Sequence, residues 1–140
     1  MTTALDTNIL IALWYEDDAL NTLARKAMES ALARGGLAIS APVYAELLAA
    51  PSRTEVFVDF FLKDTGIAVD WILDESIWRA AGRAFQLYAG LRKLQREAGP
   101  RRILADFLIG AHALRNGYRL LTLDERLYRA AFPRLSVVVA

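Results

Sequence analysis

Cysteine is absent from this 140-residue sequence, and histidine occurs only once. The lack of cysteine excludes disulfides, a thiolate metal site and a cysteine nucleophile. One histidine is too few for a zinc site built from several imidazoles. The formal net charge is +1, so the overall basic excess of many nucleic-acid-binding proteins is missing as well. Contact with nucleic acid must therefore come from a local basic cluster.

We expect neither a secretory leader nor a membrane-spanning segment. The opening residues, MTTALD, contain no basic group, and an acid precedes the first apolar run. That run covers residues 9–14, far fewer than the ~20 residues that span a bilayer. We therefore expect a soluble, cytoplasmic protein.

Short apolar segments alternate with helical ones along the chain, and no repeat or linker interrupts them. The predicted strands are 3–5, 37–40, 67–71, 119–123 and 135–140, and the helices between them include 17–36, 74–97 and 102–116. Apolar strands joined by helices favour a parallel sheet that is covered on both faces. We predict an α/β/α three-layer sandwich with a mainly parallel central sheet, formed by residues 1–140 as one domain.

Cap signals mark three of the helix starts. Asp17 or Asp18 is placed to cap the second helix. Asp74 is placed to cap the long helix predicted for residues 74–97. Ser52 with Glu55 three residues later predicts a capping box for a helix that runs to about residue 63.

Four acidic residues lie in apolar surroundings where an acid is not expected: Asp6, Glu46, Asp106 and Asp124. Burial of a lone carboxylate costs several kcal/mol or forces its protonation. Each of the four therefore needs a capping role, a cationic partner or a metal ion.

The predicted topology brings these acids toward one edge of the sheet. Asp6 and Asp124 follow strands directly, and Glu46 lies about one turn into the helix after a strand. Ligand sites of open parallel sheets form at the carboxyl ends of the strands. Asp106 lies near the start of its helix, where the dipole favours an anion. Converging carboxylates need a cation, and Mg²⁺ or Mn²⁺ suits oxygen ligands. The chemistry this predicts is metal-assisted phosphodiester hydrolysis.

Each acid also has an ordinary structural interpretation. Asp6 and Asp124 could cap the helices that follow them, and Glu46 could pair with an arginine. A neighbouring arginine could neutralise Asp106. His112 is predicted to be a helix-surface residue rather than a ligand. The functional interpretation depends on the joint pattern and not on any single residue.

Four segments, taken in order, resemble the PIN-domain nucleases and in particular VapC-type toxins of toxin–antitoxin pairs. They are LDTNILIAL, SAPVYAELL, ADFLIGAHAL and LLTLDERL, and together they span nearly the whole chain. The family's acidic quartet then falls on Asp6, Glu46, Asp106 and Asp124, and its polar companions fall on Asn8 and Thr122. His112, within GAHAL, departs mildly from the small apolar residues usual in the family.

This resemblance implies a PIN-like α/β/α sandwich, Mg²⁺- or Mn²⁺-dependent ribonuclease activity, a cognate VapB-like antitoxin and a homodimer. Asp6 and Asp106 would be the core metal ligands, and Glu46 would complete the site or act through a bound water. Asp124 and Asn8 would bind a metal directly or through water. Thr122 would orient the cluster.

A basic segment, LRKLQREAGPRR, leads into the helix that bears Asp106. It supplies Arg92, Lys93, Arg96, Arg101 and Arg102 against a single acid. Such a rim would hold RNA phosphates and make binding sensitive to salt. The alternative is that these are solvated residues at a helix end. Next to Asp106, RNA contact is the interpretation we favour.

The apolar excess indicates a partner surface. Apolar residues make up 55% of the chain, whereas about 45–50% is usual. Trp14, Tyr15, Trp71 and Trp78 could line a groove, although Trp71 is predicted to be core. The resemblance implies that an antitoxin segment packs near the early helices, and the segment VFVDFFL (residues 56–62) is predicted to contact it in part.

The sequence thus predicts a metal-dependent endoribonuclease that acts as a toxin. A catalytically silent PIN-like module that binds RNA or protein is the alternative, and the complete set of four acids argues against it. A phosphotransfer domain also places an aspartate after its first strand. That chemistry needs a second acid close by or a late lysine, and no lysine follows Lys93.

Overall fold

The computed structural model of the chain describes residues 1–16, 19–95 and 104–140, without the side chains of 92–95. Its centre is a sheet of five strands in the order β3-β2-β1-β4-β5. The strands are β1 (Thr3–Leu5), β2 (Leu37–Ser40), β3 (Ala68–Asp70), β4 (Arg119–Thr122) and β5 (Val137–Val139). Every neighbouring pair runs parallel, so the sheet predicted as mainly parallel is parallel throughout.

Seven helices are present in the described part of the chain: α1 (Thr7–Trp14), α2 (Ala19–Arg34), α3 (Ala41–Leu48), α4 (Glu55–Thr65), α5 (Glu75–Gln95), α6 (Leu104–Arg115) and α7 (Arg126–Ala131). The strand order reverses direction between β3 and β4. Because parallel connections are right-handed, this reversal places α1–α4 on one face and α5–α7 on the other. Contacts agree, since α1 packs on α2 and α3, whereas α5 packs on α6 and α7. The α/β/α prediction is confirmed.

The core lies along the three inner strands and on the helix α6. Every residue of β1 and β2 is buried, and α6 is buried from Phe107 to Ala113 without interruption. Gly110 allows this close packing, because a Cβ at that position would lie 2.4 Å from Cε2 of Phe132. α6 is therefore fixed in position, and it carries Asp106 in its first turn. No helix in the described ranges is long and apolar enough to cross a membrane.

One predicted cap is wrong, and one is confirmed. α4 begins after Thr54, whose side chain accepts the Phe57 N–H at 3.1 Å, so Ser52 and Glu55 form no capping box. Ser52 instead has a positive φ of 62° and lies in the turn before the helix. Asp74 does cap α5, because its Oδ1 accepts the Ile77 N–H at 3.0 Å. Residues 17 and 18, the predicted cap of α2, lie outside the described residues.

Candidate active site

The four acids singled out in the sequence line one cleft at the carboxyl edge of the sheet. Asp6 follows β1 directly, and Asp124 lies two residues beyond β4. These two strands are neighbours at the point where the strand order reverses, which is where open α/β sheets place their ligands. The cleft has a volume of about 230 Å³ and is lined by Asp6, Thr7, Asn8, Ile11, Glu46, Asp106, Asp124, Leu127 and Tyr128.

Asp6 is the most buried acid of the cleft, with 7% of its surface exposed. Its Oδ1 accepts the Thr7 N–H at 2.8 Å, so the residue does cap α1. Its Oδ2 accepts from the hydroxyls of Thr122 at 2.8 Å and Tyr128 at 2.9 Å. Burial, together with a smaller effect of the charge of Asp106, raises the pKa of the Asp6 carboxyl to about 6, against the lowering effect of these donors.

Thr122 and Asn8 connect the end of β4 to the start of α1. The Thr122 hydroxyl is fully buried and accepts from Nδ2 of Asn8 at 3.3 Å and from the Asp124 N–H at 3.1 Å. Oδ1 of Asn8 accepts the Leu123 N–H at 3.2 Å. These bonds hold the end of β4 against Asp6. Thr122 is therefore placed where it can orient the carboxylate of Asp6.

Glu46 reaches the cleft from α3, half-buried. Its Oε1 accepts the Thr7 hydroxyl at 2.6 Å. Burial raises the pKa of the Glu46 carboxyl, and the charge of Asp106 contributes in the same direction. Within the described residues no arginine forms an ion pair with Glu46. The arginine partner considered for this residue is therefore not found there.

Asp106 projects from the first turn of α6 and is half-buried. Its negative charge raises the pKa of Asp6, Glu46 and Tyr128. The carboxylate of Asp106 therefore lies close enough to those of Asp6 and Glu46 to repel them. Such a cluster is stabilised by a cation.

Asp124 is held by an arginine, Arg126. Nε of Arg126 donates to Oδ1 at 3.0 Å, and Nη2 donates to Oδ2 at 2.8 Å. Oδ1 also accepts the Arg126 N–H at 3.1 Å, at the start of α7. The N-cap of α7 is Glu125, whose side chain forms no cap hydrogen bond, so Asp124 binds the first turn from the position before the cap. Asp124 also lines the cleft.

The donor chemistry of the cleft fits a hard divalent cation, because the charged groups that line it, among the residues the structure describes, are all carboxylates. Among the described residues, no three His, Asp or Glu side chains are gathered into a set that could hold a metal. A complete protein cage is not required for Mg²⁺, which usually keeps several waters and binds through one or two carboxylates. Asp6 and Asp106 are the candidates for these carboxylates.

Tyr128 was missed by the sequence analysis. It lies on α7, is 2% exposed, and its hydroxyl donates to Asp6. Burial and the charges of Asp6 and Asp106 raise the pKa of the Tyr128 phenol, so it stays protonated and donates its hydrogen bond. The signal available in the sequence was its position, one helical turn after Asp124.

His112 is buried, with 1% exposure, and the prediction of a helix-surface residue is wrong. Its Nε2 lies 2.7 Å from Oδ2 of Asp70, at the end of β3. α6 is covered by neighbouring elements at this level, so the imidazole finds its partner inside the protein. His112 does not line the cleft, and its pairing with Asp70 is structural.

The side chains predicted to contact RNA are not among those that the structure describes. Arg96, Arg101 and Arg102 lie in the undescribed segment, and Arg92 and Lys93 lie where no side chains are described. Arg126, which pairs with Asp124, is a described cation next to the cleft. Its side chain is 83% exposed.

The aromatic residues proposed for a groove have mixed environments. Trp71 is 59% exposed, so its predicted core position is wrong. The edge strand β3 ends just before Trp71. The ring of Trp71 contacts the ring of Tyr44 edge-on, with 4.8 Å between the ring centroids. Trp14 is half-buried against Phe57 and Phe61. Tyr15 and Trp78 are exposed.

The segment VFVDFFL forms most of α4 and has two faces. Val58 and Leu62 are buried, whereas Val56 is 79% exposed and Phe60 is 67% exposed. A single helix therefore presents large apolar side chains on its outer side. That arrangement agrees with a helix that meets a partner in part.

The family model of the PIN domain matches residues 3–133, nearly the whole chain. The chain belongs to the PIN domain family. The resemblance of the four sequence segments to this family is thereby confirmed. Among curated proteins, no sequence match is found.

Solved structures with the same PIN fold include one described as a toxin–antitoxin complex, from Klebsiella pneumoniae. VapBC2 from Rickettsia felis, bound to a DNA fragment from its promoter, matches with a TM-score of 0.68 and 21% identity, over 100% of this chain and 99% of that one. FitAcB from Neisseria gonorrhoeae matches with a TM-score of 0.65 and 18% identity, over 96% and 95%. VapC20 from Mycobacterium tuberculosis, described as a Sarcin-Ricin loop cleaving toxin, matches with a TM-score of 0.61 and 17% identity, over 91% and 94%.

Proposed function

We propose that this PIN domain is a Mg²⁺- or Mn²⁺-dependent endoribonuclease that acts as the toxin of a toxin–antitoxin pair. The observation that carries the proposal is the convergence of Asp6, Glu46, Asp106 and Asp124 on one cleft. Burial, with a smaller contribution from the charge of Asp106, raises the pKa of Asp6 to about 6. A divalent ion relieves this cost, because it compensates the charge of the carboxylates without protonating them.

Asp6 and Asp106 are the proposed ligands of the ion. When bound, the ion supplies activation of a water for attack on phosphorus and stabilisation of charge on the leaving oxygen. Asp6 is held by Thr7, Thr122 and Tyr128, so its carboxylate is fixed before any ligand arrives. Such prior order is what makes electrostatic stabilisation effective.

Glu46 and Asp124 complete the proposed site from its two sides. Glu46 has one carboxylate oxygen fixed by the Thr7 hydroxyl. Its other oxygen can orient a water molecule or accept a proton from it. Asp124 binds the ion directly or through water, and its partner Arg126 places a guanidinium next to the cleft. Asn8 and Thr122 support the strand end that carries Asp124.

The proposed partners are an RNA substrate, a VapB-like antitoxin and a second copy of the chain. VapBC2 and FitAcB are complexes with this fold, which supports an antitoxin partner. A basic antitoxin side chain would fit a cleft that contains four acids, and the exposed Val56 and Phe60 on α4 offer an apolar contact. The basic segment 91–102 is proposed to hold RNA phosphates.

The proposal is tested by cleavage of a structured RNA with and without divalent ions. We expect cleavage with Mg²⁺ or Mn²⁺, none in EDTA, and none by Asp106→Asn while circular dichroism shows an intact fold. Asp64→Asn is the matched control, because Asp64 is an exposed acid of α4 outside the cleft, and it should cleave normally. Cleavage that persists in EDTA or in Asp106→Asn would overturn the metal mechanism.

The same assay distinguishes an active nuclease from a catalytically silent binding module. A protein that binds RNA yet never cleaves it under any divalent ion would be such a module. For the toxin role, a small antitoxin-like reading frame should lie next to the coding sequence, and its absence would contradict that part. Sequencing of RNA ends after brief induction in cells would name the substrate.

A further inference from the structure

The two oxygens of the Asp6 carboxylate are engaged to different extents. Oδ2 accepts two hydrogen bonds, from the hydroxyls of Thr122 and Tyr128. Oδ1 accepts one, from the Thr7 N–H. A carboxylate oxygen has two lone pairs in its plane. Both lone pairs of Oδ2 are therefore used, and one lone pair of Oδ1 remains.

The two hydroxyl donors have little freedom to move away. Thr122 is 0% exposed at the end of β4, and Tyr128 is 2% exposed within the hydrophobic core. Water cannot readily replace Asp6 as their acceptor, and a buried hydroxyl without a partner is costly. The Thr122 hydroxyl has a second acceptor, the carbonyl oxygen of Asp124 at 3.3 Å, whereas within the described residues the Tyr128 hydroxyl donates to Asp6 alone. A ligand on Oδ2 would therefore leave the buried Tyr128 hydroxyl without a partner.

A carboxylate restricted to one oxygen discriminates between divalent cations. Mg²⁺ requires near-octahedral coordination by single oxygens, whereas Ca²⁺ accepts more oxygens and often takes both from one carboxylate. Mn²⁺ also suits carboxylate and water ligands in an octahedral arrangement. An Asp6 that offers Oδ1 alone fits the smaller ions and lacks the second oxygen that Ca²⁺ would use.

We propose that Tyr128, together with Thr122, confines Asp6 to coordination through one oxygen and thereby selects Mg²⁺ or Mn²⁺ over Ca²⁺. This inference rests on the proposed function, because it assumes that Asp6 is a metal ligand. Tyr128 acts through Asp6 and is a positioning residue. Removal of its hydroxyl frees one lone pair of Oδ2, so the carboxylate can present both oxygens.

The test compares Ca²⁺ with Mn²⁺ binding in Tyr128→Phe, which keeps the buried ring. Metal-depleted full-length protein is titrated with Mn²⁺, bound ion is followed by electron paramagnetic resonance, and Ca²⁺ is then added as competitor. We expect the affinity for Ca²⁺ relative to Mn²⁺ to rise on the order of tenfold, since residues that orient a metal ligand alter affinity by about 10–100-fold. Tyr118→Phe is the matched control, because Tyr118 lies half-buried beside His112 and outside the cleft. It should keep the wild-type ratio.

The outcomes separate this inference from the proposed function. If Mn²⁺ binds wild type but not Asp106→Asn, and the ratio is unchanged in folded Tyr128→Phe, the selection by Tyr128 is overturned while the metal site stands. If Mn²⁺ does not bind wild type at all, both fail. If Tyr128→Phe does not fold, Thr122→Val removes the other donor to Oδ2, and an unchanged ratio there overturns the inference equally.

Discussion

Asp6 and Asp124 follow neighbouring parallel strands and line the same cleft, yet their carboxylates are held in opposite ways. Asp6 is 7% exposed and accepts hydrogen bonds only from uncharged groups. The side chain of Asp124 is 34% exposed, and the guanidinium of Arg126 covers both of its oxygens. One carboxylate is buried without a compensating charge, and the other is compensated at the surface.

This difference indicates which of the two acids a metal ion would affect most. Uncharged donors orient a buried carboxylate but leave its charge uncompensated, which is why the pKa of Asp6 is raised to about 6. An exposed ion pair such as that of Asp124 contributes little to stability and can exchange its partner. We therefore expect Asp6 to be indispensable for activity and Asp124 with Arg126 to adjust it.

The largest effect is expected for Asp6→Asn. The amide oxygen can still accept the Thr7 N–H, so the fold should survive, but a charged ligand is lost. We expect RNA cleavage to fall by about 1000-fold or more, because metal-ion stabilisation supplies several kcal/mol and each ~1.4 kcal/mol is tenfold in rate. The measurement is single-turnover cleavage with Mg²⁺. If Asp6→Asn retained a tenth of the wild-type activity, Asp6 would not be indispensable, and the expected difference in role between Asp6 and Asp124 would be wrong.

The second prediction concerns stability against pH without metal. The pKa of Asp6 is about 6 in the folded state against 3.8 for the usual carboxyl, so the folded state binds this proton more tightly. The stability that Asp6 contributes is fully present below about pH 4 and is lost as pH rises through 6. The difference between the two values corresponds to about 3 kcal/mol.

Urea unfolding in EDTA at pH 4 and pH 7 measures this effect. Wild type should lose more free energy of unfolding over that interval than Asp6→Asn, and Mg²⁺ should restore part of the loss at pH 7. Equal losses in the two proteins would show that Asp6 is not the carboxylate responsible. Glu46, whose pKa is also raised, would then be examined by the same comparison.

The smallest effect is expected for Arg126→Gln, which removes the charged partner of Asp124. Since exposed ion pairs contribute little, the melting temperature should stay unchanged and cleavage should change by less than about tenfold. Arg129→Gln is the matched control, because Arg129 pairs with Glu125 on the same helix and does not line the cleft. A loss as large as that of Asp6→Asn would mean that Arg126 itself contacts the substrate.

Much of the fold could be predicted from local pattern. The alternation of short apolar segments with capped helices indicated a parallel sheet, and all five predicted strands are found. The four acids could also be located, because a charge in an apolar segment is conspicuous without any knowledge of its neighbours. Their common edge followed from a general property of parallel sheets.

The misses share a physical cause, which is that burial depends on elements distant in the chain. Trp71 is exposed because β3 is an edge strand, and the sequence of β3 does not specify its place in the sheet. His112 is buried beside Asp70, 42 residues away.

The sequence by itself determined which residue types are present for chemistry: carboxylates without thiols, three of them at or after the end of a strand and Asp106 near the start of a helix. Only the tertiary structure decided how each carboxylate is held. Tyr128 lies 122 residues from Asp6 in the chain, yet its hydroxyl donates to Oδ2 at 2.9 Å. Parallel pairing of β1 with β4 creates that contact, because it brings the last helix of the fold against the end of its first strand.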